Sequence, residues 1–426
     1  MKENGIEWIA VDDLRVGVFV ELESGWLDHP FPSGKFKITS TRQIDTLREL
    51  GLSRIRVNRS KSDAPSGDAA GAPQSATSAN PASARPKDTP HTPTRAELLA
   101  LQRRGLQACE RRFNDSVKLY RKTLEQVHNH PKDAAQDCLN LVNAIVDELL
   151  QDGESAIRLL SETAGDKTSM HSVNSAIVSL LLGQVLGMSR AELVDLGLAA
   201  FLHDIGKIEL PDRVRWFDEK FTSAETHLYQ EHVALGVQLA RKMALSPAVL
   251  ATIAQHHEMV DGTGFPLRSK GEAISRSGHI LALVNRYDNL CNSNRPGASM
   301  TPHQALSLLF TQYNNRFDPA TLGAFIRMMG VYPPGSVVQL ADERYALVVS
   351  VNTARPLKPR VLVYQPDVPR HEALVLDLER SPSLGIRRSL KPATLPSDAH
   401  SYLAPTQRVN YFFERSADAS MQGALA

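Results

Sequence analysis

The sequence predicts a mainly α-helical protein with a small α+β module before the helices and a small β-rich module after them. Apolar residues recur at helical spacing over long stretches between Thr94 and Phe325. Short strand-like runs separated by turn residues lie before Val57 and after Pro334. Because 426 residues exceed what one hydrophobic core usually serves, more than one folded unit is expected.

The N-terminal module is predicted from strand-like runs at 16–22, 35–38 and 54–57 around a helical stretch at 41–50. Between residues 60 and 94 the composition changes to Ala, Ser, Pro, Gly and isolated charges. Such a segment cannot bury enough apolar surface to offset the entropy of ordering it. It is therefore predicted to be a disordered linker.

The helical region begins at Thr94, which suits a helix N-cap, and Pro131 interrupts its first apolar series. After Pro334 the pattern changes to strand-like runs at 337–340, 345–351 and 360–364. These observations predict five segments: an N-terminal module (1–59), a linker (60–94), a helical region that packs on the central domain (95–165), the central domain itself (166–334) and a β-rich C-terminal module (335–426).

The charge balance excludes some classes of partner. Lys and Arg number 48 against 47 Asp and Glu, so the net charge of +1 creates no global field to attract a nucleic acid polymer or an anionic membrane. The first residues lack the apolar core of a signal peptide. The longest apolar run, 176–188, is shorter than the roughly 20 residues that span a bilayer. The sequence predicts a cytoplasmic protein without a membrane segment.

Cysteines do not indicate a disulfide framework or a thiolate zinc site. Only Cys109, Cys138 and Cys291 occur, far apart and without a CxxC pair. The 14 histidines are more informative, because several are adjacent to Asp or to another His.

The first such cluster is His203-Asp204, which follows an apolar helical stretch and precedes Lys207. Imidazole nitrogen and carboxylate oxygen are ligands for hard or borderline divalent metals, and an Asp can bridge two ions with its two oxygens. Lys207 is about one helical turn further on, where its ammonium can reach a phosphate at the same site.

The second cluster is His256-His257-Glu258, followed directly by the glycine-containing stretch 261–266. Adjacent helical side chains diverge by about 100°, so the two imidazoles could serve neighbouring metals, or one could bind while the other supports it. The glycines allow a ligand to approach the backbone closely.

The ordered set of His171, His203-Asp204, Lys207, His232, His256-His257-Glu258 and 261–266 resembles the HD-GYP branch of the HD hydrolases, with Phe265 where that branch has Tyr. The resemblance implies an HD-type helical bundle with a GYP extension, and cleavage of cyclic di-GMP at a centre of two or three metals. The segments 11–20 and 26–31 resemble the uncharacterised N-terminal domain that often precedes such hydrolases in bacteria.

The resemblance implies a metal-ligand set with Asp204 as the bridging carboxylate. Asn285 stands where the family has a further Asp, so a neutral carboxamide would replace a charged ligand. A third metal is not favoured, because Asp166 and Lys167 occupy the region where three-metal relatives have Glu. Two divalent ions are expected, Fe or Mn first and Ni or Zn as alternatives. The implied ligands are His171, His203, Asp204, His232, His256, His257 and Asn285.

The resemblance also implies catalytic roles for Asp204 and Lys207, with Lys207 stabilising charge on a phosphate oxygen. Arg295 and Lys270 are candidates for holding the second phosphate. The predicted substrate-binding residues are Lys207, Gly262, Gly264, Phe265, Pro266, Lys270 and Arg295.

Three functions follow as hypotheses. The first is a metal-dependent phosphodiesterase that converts cyclic di-GMP to pGpG, with GMP as a further product. The second is an impaired relative that binds cyclic di-GMP as an effector because of Asn285. The third is an HD phosphohydrolase for another nucleotide. A homodimer through the helices of 94–150 and a protein partner for the N-terminal module are further expectations.

Overall fold

The structure is a computed structural model, and its chain divides into two compact units, residues 1–92 and 93–426. It describes residues 6–21, 35–39, 43–44, 47–48, 54–63, 94–151, 153–161, 165–295, 297–381, 384–406 and 408–415.

The first unit contains a four-stranded antiparallel sheet with strand order β1-β4-β2-β3. Buried side chains such as Val20, Ile38 and Ile55 form its core. Of the helix predicted at 41–50, the described residues 43–44 and 47–48 are helical, and the rest lies outside the described residues, as do 26–31 and 64–93. The strands are β1 (Ile6–Ala10), β2 (Phe19–Glu21), β3 (Lys35–Lys37) and β4 (Arg54–Asn58).

The second unit is mainly helical, as the sequence predicts. Thr94 caps its first helix in a reciprocal capping box with Glu97, which explains why that helix begins there. The helices are α1 (Arg95–Gln126), α2 (Pro131–Leu149), α3 (Lys167–Val185), α4 (Arg190–Leu202), α5 (Ser223–Lys242), α6 (Pro247–Gln255), α7 (Arg276–Cys291), α8 (Pro302–Gln312), α9 (Pro319–Met329) and α10 (Ser397–Leu403).

Helices α3 and α4 form the centre of this unit. From Ser169 to Gly183 every residue of α3 is buried, and α4 is buried from Leu196 to Leu202. Helices that are apolar on all sides belong to the interior of a larger bundle. The short turns 205–209 and 212–214 connect α4 to α5.

A seven-stranded antiparallel sheet packs with these helices. Its main order is β10-β6-β7-β5-β11, and β8 and β9 extend it from β7. The sequence predicts β6, β7 and β8 within one or two residues, but not the others. The strands are β5 (Ser155–Leu159), β6 (Val337–Leu340), β7 (Tyr345–Asn352), β8 (Arg360–Val363), β9 (Val375–Asp377), β10 (Ile386–Leu390) and β11 (Tyr411–Arg415).

Strand β5 precedes the central helices in the chain, yet it lies between β7 and β11 in this sheet. The predicted boundaries at 165/166 and 334/335 therefore divide a stretch that forms one compact unit. The division remains a prediction. Within the described part of the chain, no helix has the length and apolar character needed to cross a bilayer.

Candidate metal centre and substrate cavity

Four helices bring the predicted histidines to one place. His171 lies on α3, His203 follows the last residue of α4, and His232 lies on α5. His256 follows the end of α6 and precedes His257. The structure therefore brings together five imidazoles that the sequence separates by up to 86 residues, at the ends or on buried faces of helices.

Three of these histidines make the same type of hydrogen bond to the backbone. The Nδ1 atom of each lies against the carbonyl oxygen of the residue three positions earlier: 2.8 Å for His203 and Ala200, 2.5 Å for His232 and Tyr229, 2.6 Å for His256 and Ile253. A carbonyl only accepts, so Nδ1 carries the hydrogen in each ring. Each Nε2 then presents a bare lone pair to the interior.

The unprotonated Nε2 atoms face each other in two pairs of histidines. His171 Nε2 and His203 Nε2 are 3.2 Å apart, and His232 Nε2 and His256 Nε2 are also 3.2 Å apart. With the ring hydrogens on Nδ1, neither pair has a proton to share. Two nitrogen lone pairs that face each other repel. A cation between the two nitrogens of each pair would remove this repulsion.

Asp204 lies between the two histidine pairs and is 1% exposed. Its Oδ2 is 3.6 Å from His171 Nε2 and 3.5 Å from His203 Nε2. Its Oδ1 is 3.6 Å from His232 Nε2 and 3.7 Å from His256 Nε2. Each carboxylate oxygen of Asp204 thus lies next to one of the two histidine pairs.

These distances fit metal ligation. Ligand atoms about 3–4 Å apart surround an ion that each contacts at about 2.0–2.2 Å. Two groups of donors have all their ligand atoms within 4.8 Å of one another: His171, His203 and Asp204, and Asp204, His232, His256 and His257. Among the described residues, Asp204 Oδ1 and His257 Nε2 are buried without a hydrogen-bond partner. Buried unpartnered acceptors are costly, so the donor set fits two cations that share Asp204.

Electrostatics keep these donors in the forms that bind metal. Burial lowers the pKa of His232 to about 3 and holds the pKa values of His203 and His257 well below their usual range. Burial alone would raise the pKa of Asp204, but the charge of Lys207 and the neighbouring His203 outweigh it and hold that pKa well below its ordinary value. The imidazoles of His203, His232 and His257 are therefore neutral and the carboxylate is charged, as metal ligation requires.

A glycine allows the two halves of the centre to meet. A Cβ at Gly206 would lie 2.1 Å from the carbonyl oxygen of His232 and 2.4 Å from the backbone nitrogen of Gly236. Only a residue without a Cβ lets the 205–209 turn approach α5 this closely. This contact brings His232 to Asp204.

Lys207 extends the centre towards the cavity. Its Nζ donates a hydrogen bond to Asp204 Oδ2 at 2.6 Å and lies 5.2 Å from the ring centroid of Trp216 and 5.5 Å from that of Tyr229. Burial lowers the pKa of Lys207, but the charges of Asp204 and Tyr229 outweigh it and the pKa is raised. The side chain of Lys207 therefore stays protonated beside the candidate metal site.

Sequence reasoning missed the partner of His171. Asp288 accepts a hydrogen bond from His171 Nδ1 at 2.5 Å, and its other oxygen accepts from Asn174 and Asn292. A carboxylate behind a metal-binding histidine fixes the ring and raises its basicity. The sequence places Asp288 one helical turn beyond Asn285 on α7, but it does not show that this turn packs against His171.

The two asparagines that hold Asp288 are themselves hydrogen-bonded to the backbone of residues 409 and 411. Asn174 accepts from the backbone nitrogen of Tyr411 at 2.7 Å. Asn292 donates to the carbonyl oxygen of Val409 and accepts from its nitrogen, both at 2.9 Å. The backbone that leads into β11 therefore supports His171 through Asp288.

A cavity of about 460 Å³ opens beside the centre, within the range of small-molecule sites. Of the predicted substrate-binding residues, Lys207, Gly264, Phe265 and Arg295 line it, and Gly262, Pro266 and Lys270 are not among its lining residues. Arg295 pairs with Glu219 at 2.8 Å, and both line the cavity.

The glycine-containing loop is fixed against the second histidine cluster. The ring of Phe265 stacks on His257 with 4.4 Å between centroids. A Cβ at Gly264 would lie 2.4 Å from the carbonyl oxygen of His257. Glu258 accepts from the backbone nitrogens of Leu267 and Ser269 at 2.7 and 2.9 Å, which holds the loop in place.

Asn285 is buried and lines the cavity near His256 and His257. Its Oδ1 accepts a hydrogen bond from Asn289 at 2.6 Å. Of the two residues at the start of α3, Asp166 caps the helix and pairs with Arg121, whereas the Nζ of Lys167 lies 4.8 Å from the ring centroid of Trp216.

Two family models and several curated proteins match this sequence. Residues 154–321 match the family described as HD domain, and residues 7–138 match a domain of unknown function, DUF3391. A cyclic di-GMP phosphodiesterase of Pseudomonas aeruginosa is 29% identical over 84% of this chain and 84% of its own length.

Other similarities are more partial. A 3'3'-cGAMP-specific phosphodiesterase of Vibrio cholerae is 26% identical over 50% of this chain and 49% of its own length. Among solved structures, the HD-GYP-type protein Bd1817 of Bdellovibrio bacteriovorus covers 74% of this chain and 97% of its own, with 13% identity and a TM-score of 0.40. Residues 154–321 thus resemble the HD-domain family, and the DUF3391 match lies before them in the chain.

Proposed function

We propose that this protein is a metal-dependent phosphodiesterase that hydrolyses cyclic di-GMP to pGpG. The observation that carries the proposal is Asp204, whose two oxygens each face a separate pair of imidazoles at 3.5–3.7 Å. Bound divalent ions would supply the activated water and the charge neutralisation that phosphodiester hydrolysis needs. The Pseudomonas relative named for this activity supports the choice of substrate.

The chain's own residues have distinct roles in this proposal. His171, His203, His232, His256 and His257 hold the ions together with Asp204. Lys207 donates hydrogen bonds to a non-bridging oxygen of the scissile phosphate, because its ammonium is fixed beside Asp204 and faces the cavity.

The far end of the substrate lies in the cavity. Gly264 and Phe265 form one wall, and Arg295 at the cavity lining reaches the second phosphate after exchanging its contact with Glu219. Gly262, Pro266 and Lys270 would support the loop that carries this wall, since the Lys270 side chain packs over Gly262.

Fe and Mn are the proposed metals, with Ni and Zn as alternatives, because a site of imidazoles and one carboxylate suits all four. Asn285 adds a neutral oxygen at most, and that oxygen already accepts from Asn289. We therefore propose two ions and no third.

The test is turnover by protein loaded with Mn²⁺ or Fe²⁺. Cyclic di-GMP should give pGpG, with GMP as a later product, and Asp204→Ala should abolish turnover. The panel should include 3'3'-cGAMP and unrelated nucleotides, since one relative carries the name of that substrate. Absence of product with every metal and substrate would reject the proposal.

A second candidate function rests on Asn285. If the neutral amide leaves the metals too weakly held for turnover, the protein would bind cyclic di-GMP as an effector without hydrolysing it. Binding without product in wild type, and product formation by Asn285→Asp, would favour this alternative.

A further inference from the structure

An unpaired ammonium group lies at the edge of the metal centre. Among the described residues, Lys167 Nζ is buried and has no hydrogen-bond partner. A buried charged donor without an acceptor is costly, more so than a neutral one. Lys167 lies one turn before His171 on the same face of α3, so its side chain approaches the centre from that helix.

Trp216 connects this ammonium to the cavity. The Nζ atoms of Lys167 and Lys207 lie 4.8 and 5.2 Å from the centroid of its ring. Trp216 and Lys207 both line the cavity. Both ammonium groups therefore contact the same indole ring, and Lys207 also donates a hydrogen bond to Asp204.

The charges around Lys167 do not supply the missing acceptor. The charged groups that act on it are Arg408 and Lys207, which are cationic, and Asp288. Asp288 already accepts from His171, Asn174 and Asn292. Burial lowers the pKa of Lys167 to about 8, so the group is still mainly an ammonium at pH 7. The Lys167 ammonium therefore has a nearby anion in Asp288, but the oxygens of that carboxylate already accept hydrogen bonds from other residues.

We propose that Lys167 is a second phosphate-binding lysine, which holds a phosphate oxygen of the substrate together with Lys207 beside Trp216. This inference rests on the proposed function for the identity of the substrate. The phosphate oxygens supply the acceptor that Lys167 lacks, and they separate two ammonium groups that otherwise repel each other. A phosphate at this place also lies beside Asp204 and its candidate metals.

The experiment measures binding of inorganic phosphate to the metal-loaded, full-length protein by calorimetry and by tryptophan fluorescence. Lys167→Met removes the charge and keeps the length of the chain, whereas Lys167→Arg keeps the charge. Lys132→Met is the matched control, because Lys132 is exposed on α2. Trp216→Phe identifies the fluorescence change that arises at this ring.

A charge-assisted hydrogen bond contributes enough that Lys167→Met should weaken phosphate binding by about tenfold or more. Lys167→Arg should restore most of the affinity, and Lys132→Met should bind as wild type does. Metal content should be equal in all variants, which separates phosphate binding from metal retention. Unchanged phosphate affinity in Lys167→Met would overturn the inference.

Two further outcomes keep the inference separate from the proposed function. If Lys167→Met does not fold, Lys167→Gln provides the same loss of charge in a smaller polar side chain, and equal affinity in that variant would also overturn the inference. If phosphate binding depends on Lys167 but cyclic di-GMP is not cleaved, only the proposed function fails. With active enzyme, Lys167→Met should raise KM or lower kcat, and unchanged values of both count against the inference.

Discussion

His171 donates a hydrogen bond from Nδ1 to Oδ2 of Asp288 at 2.5 Å, and this contact joins α3 to α7 directly behind the candidate metal centre. The other oxygen of Asp288 is occupied by Asn174 and Asn292. The carboxylate is therefore fully engaged in positioning one imidazole.

Asp288→Asn should weaken metal binding by about 10–100-fold, the usual effect of losing such a supporting carboxylate. The amide keeps the size of the side chain but removes the charge that orients His171. Metal titration followed by elemental analysis measures the change. Asp147→Asn is the control, because that carboxylate is exposed and pairs with Arg190 on the surface. Equal metal affinity in the Asp288 variant would contradict the assigned role.

Asp204→Asn should reduce binding at both metal positions together, because one carboxylate faces both histidine pairs. His171→Gln and His232→Gln should each reduce mainly one position. Metal content per chain after dialysis checks the pattern. Loss of a single ion in Asp204→Asn would argue against a bridging carboxylate, and Asp212→Asn, at an exposed carboxylate, should retain both ions.

Asn285→Asp should tighten metal retention, because it adds a charged oxygen at a buried position that lines the cavity. The measurement is the chelator concentration that removes half of the bound metal from each protein. Asn289→Asp, one turn further on α7 and also at the cavity, is the matched control for added charge. A lower chelator concentration for Asn285→Asp than for wild type would refute this prediction.

Gly206→Ala should lower the free energy of unfolding by about 1–3 kcal/mol, the usual cost of forcing extra atoms into a packed interior. The new Cβ would lie 2.1 Å from the carbonyl oxygen of His232, so α5 must move away from the 205–209 turn. Denaturant unfolding and metal titration should both report the shift. Gly385→Ala is the control, since a Cβ there meets nothing within 4 Å.

The metal-free protein should lose stability as the pH falls from 7 towards 4. The folded-state pKa of His232 is about 3, against 6.5 for an unperturbed histidine, so the unfolded chain binds more protons between these values. The contribution of His232 to the free energy of unfolding is therefore complete above pH 6.5. Below that pH it falls by about 1.4 kcal/mol for each pH unit. Burial of His203 and His257 acts in the same direction.

Chemical denaturation of the metal-free protein across this pH range measures the slope. His232→Gln cannot take up this proton, so its stability should depend less steeply on pH than that of wild type. A slope that is unchanged by the substitution would show that His232 does not contribute.

The sequence predicts the helices well because their apolar residues repeat at 3.6-residue spacing and their first residues carry caps such as Thr94. It does not predict β5. All five residues of that strand are buried, so it lacks the alternation of a half-exposed strand, and it contains Arg158, whose charge pairs with Glu414 of β11. Its partner strands come from the other end of the chain.

For the site, adjacency in the sequence indicates His203, Asp204, His256 and His257, and the family resemblance implies His171 and His232 as well. The structure places these six side chains together. The sequence could not predict that Asp288 supports His171, because that contact depends on the packing of α3 against α7. Lys167 and Trp216 were missed as neighbours for the same reason, since the loop between α4 and α5 decides where the indole lies.

The support that Val409 and Tyr411 give to Asn292 and Asn174 has a consequence for synthesis of the protein. During translation, α3 and α7 emerge from the ribosome long before these two residues do. The nascent chain can bring its histidines together early, but the hydrogen bonds that support His171 through Asp288 form only after β11 has left the ribosome. Premature termination before residue 409 would therefore yield a product with an unfinished metal pocket, even though every ligand had been made.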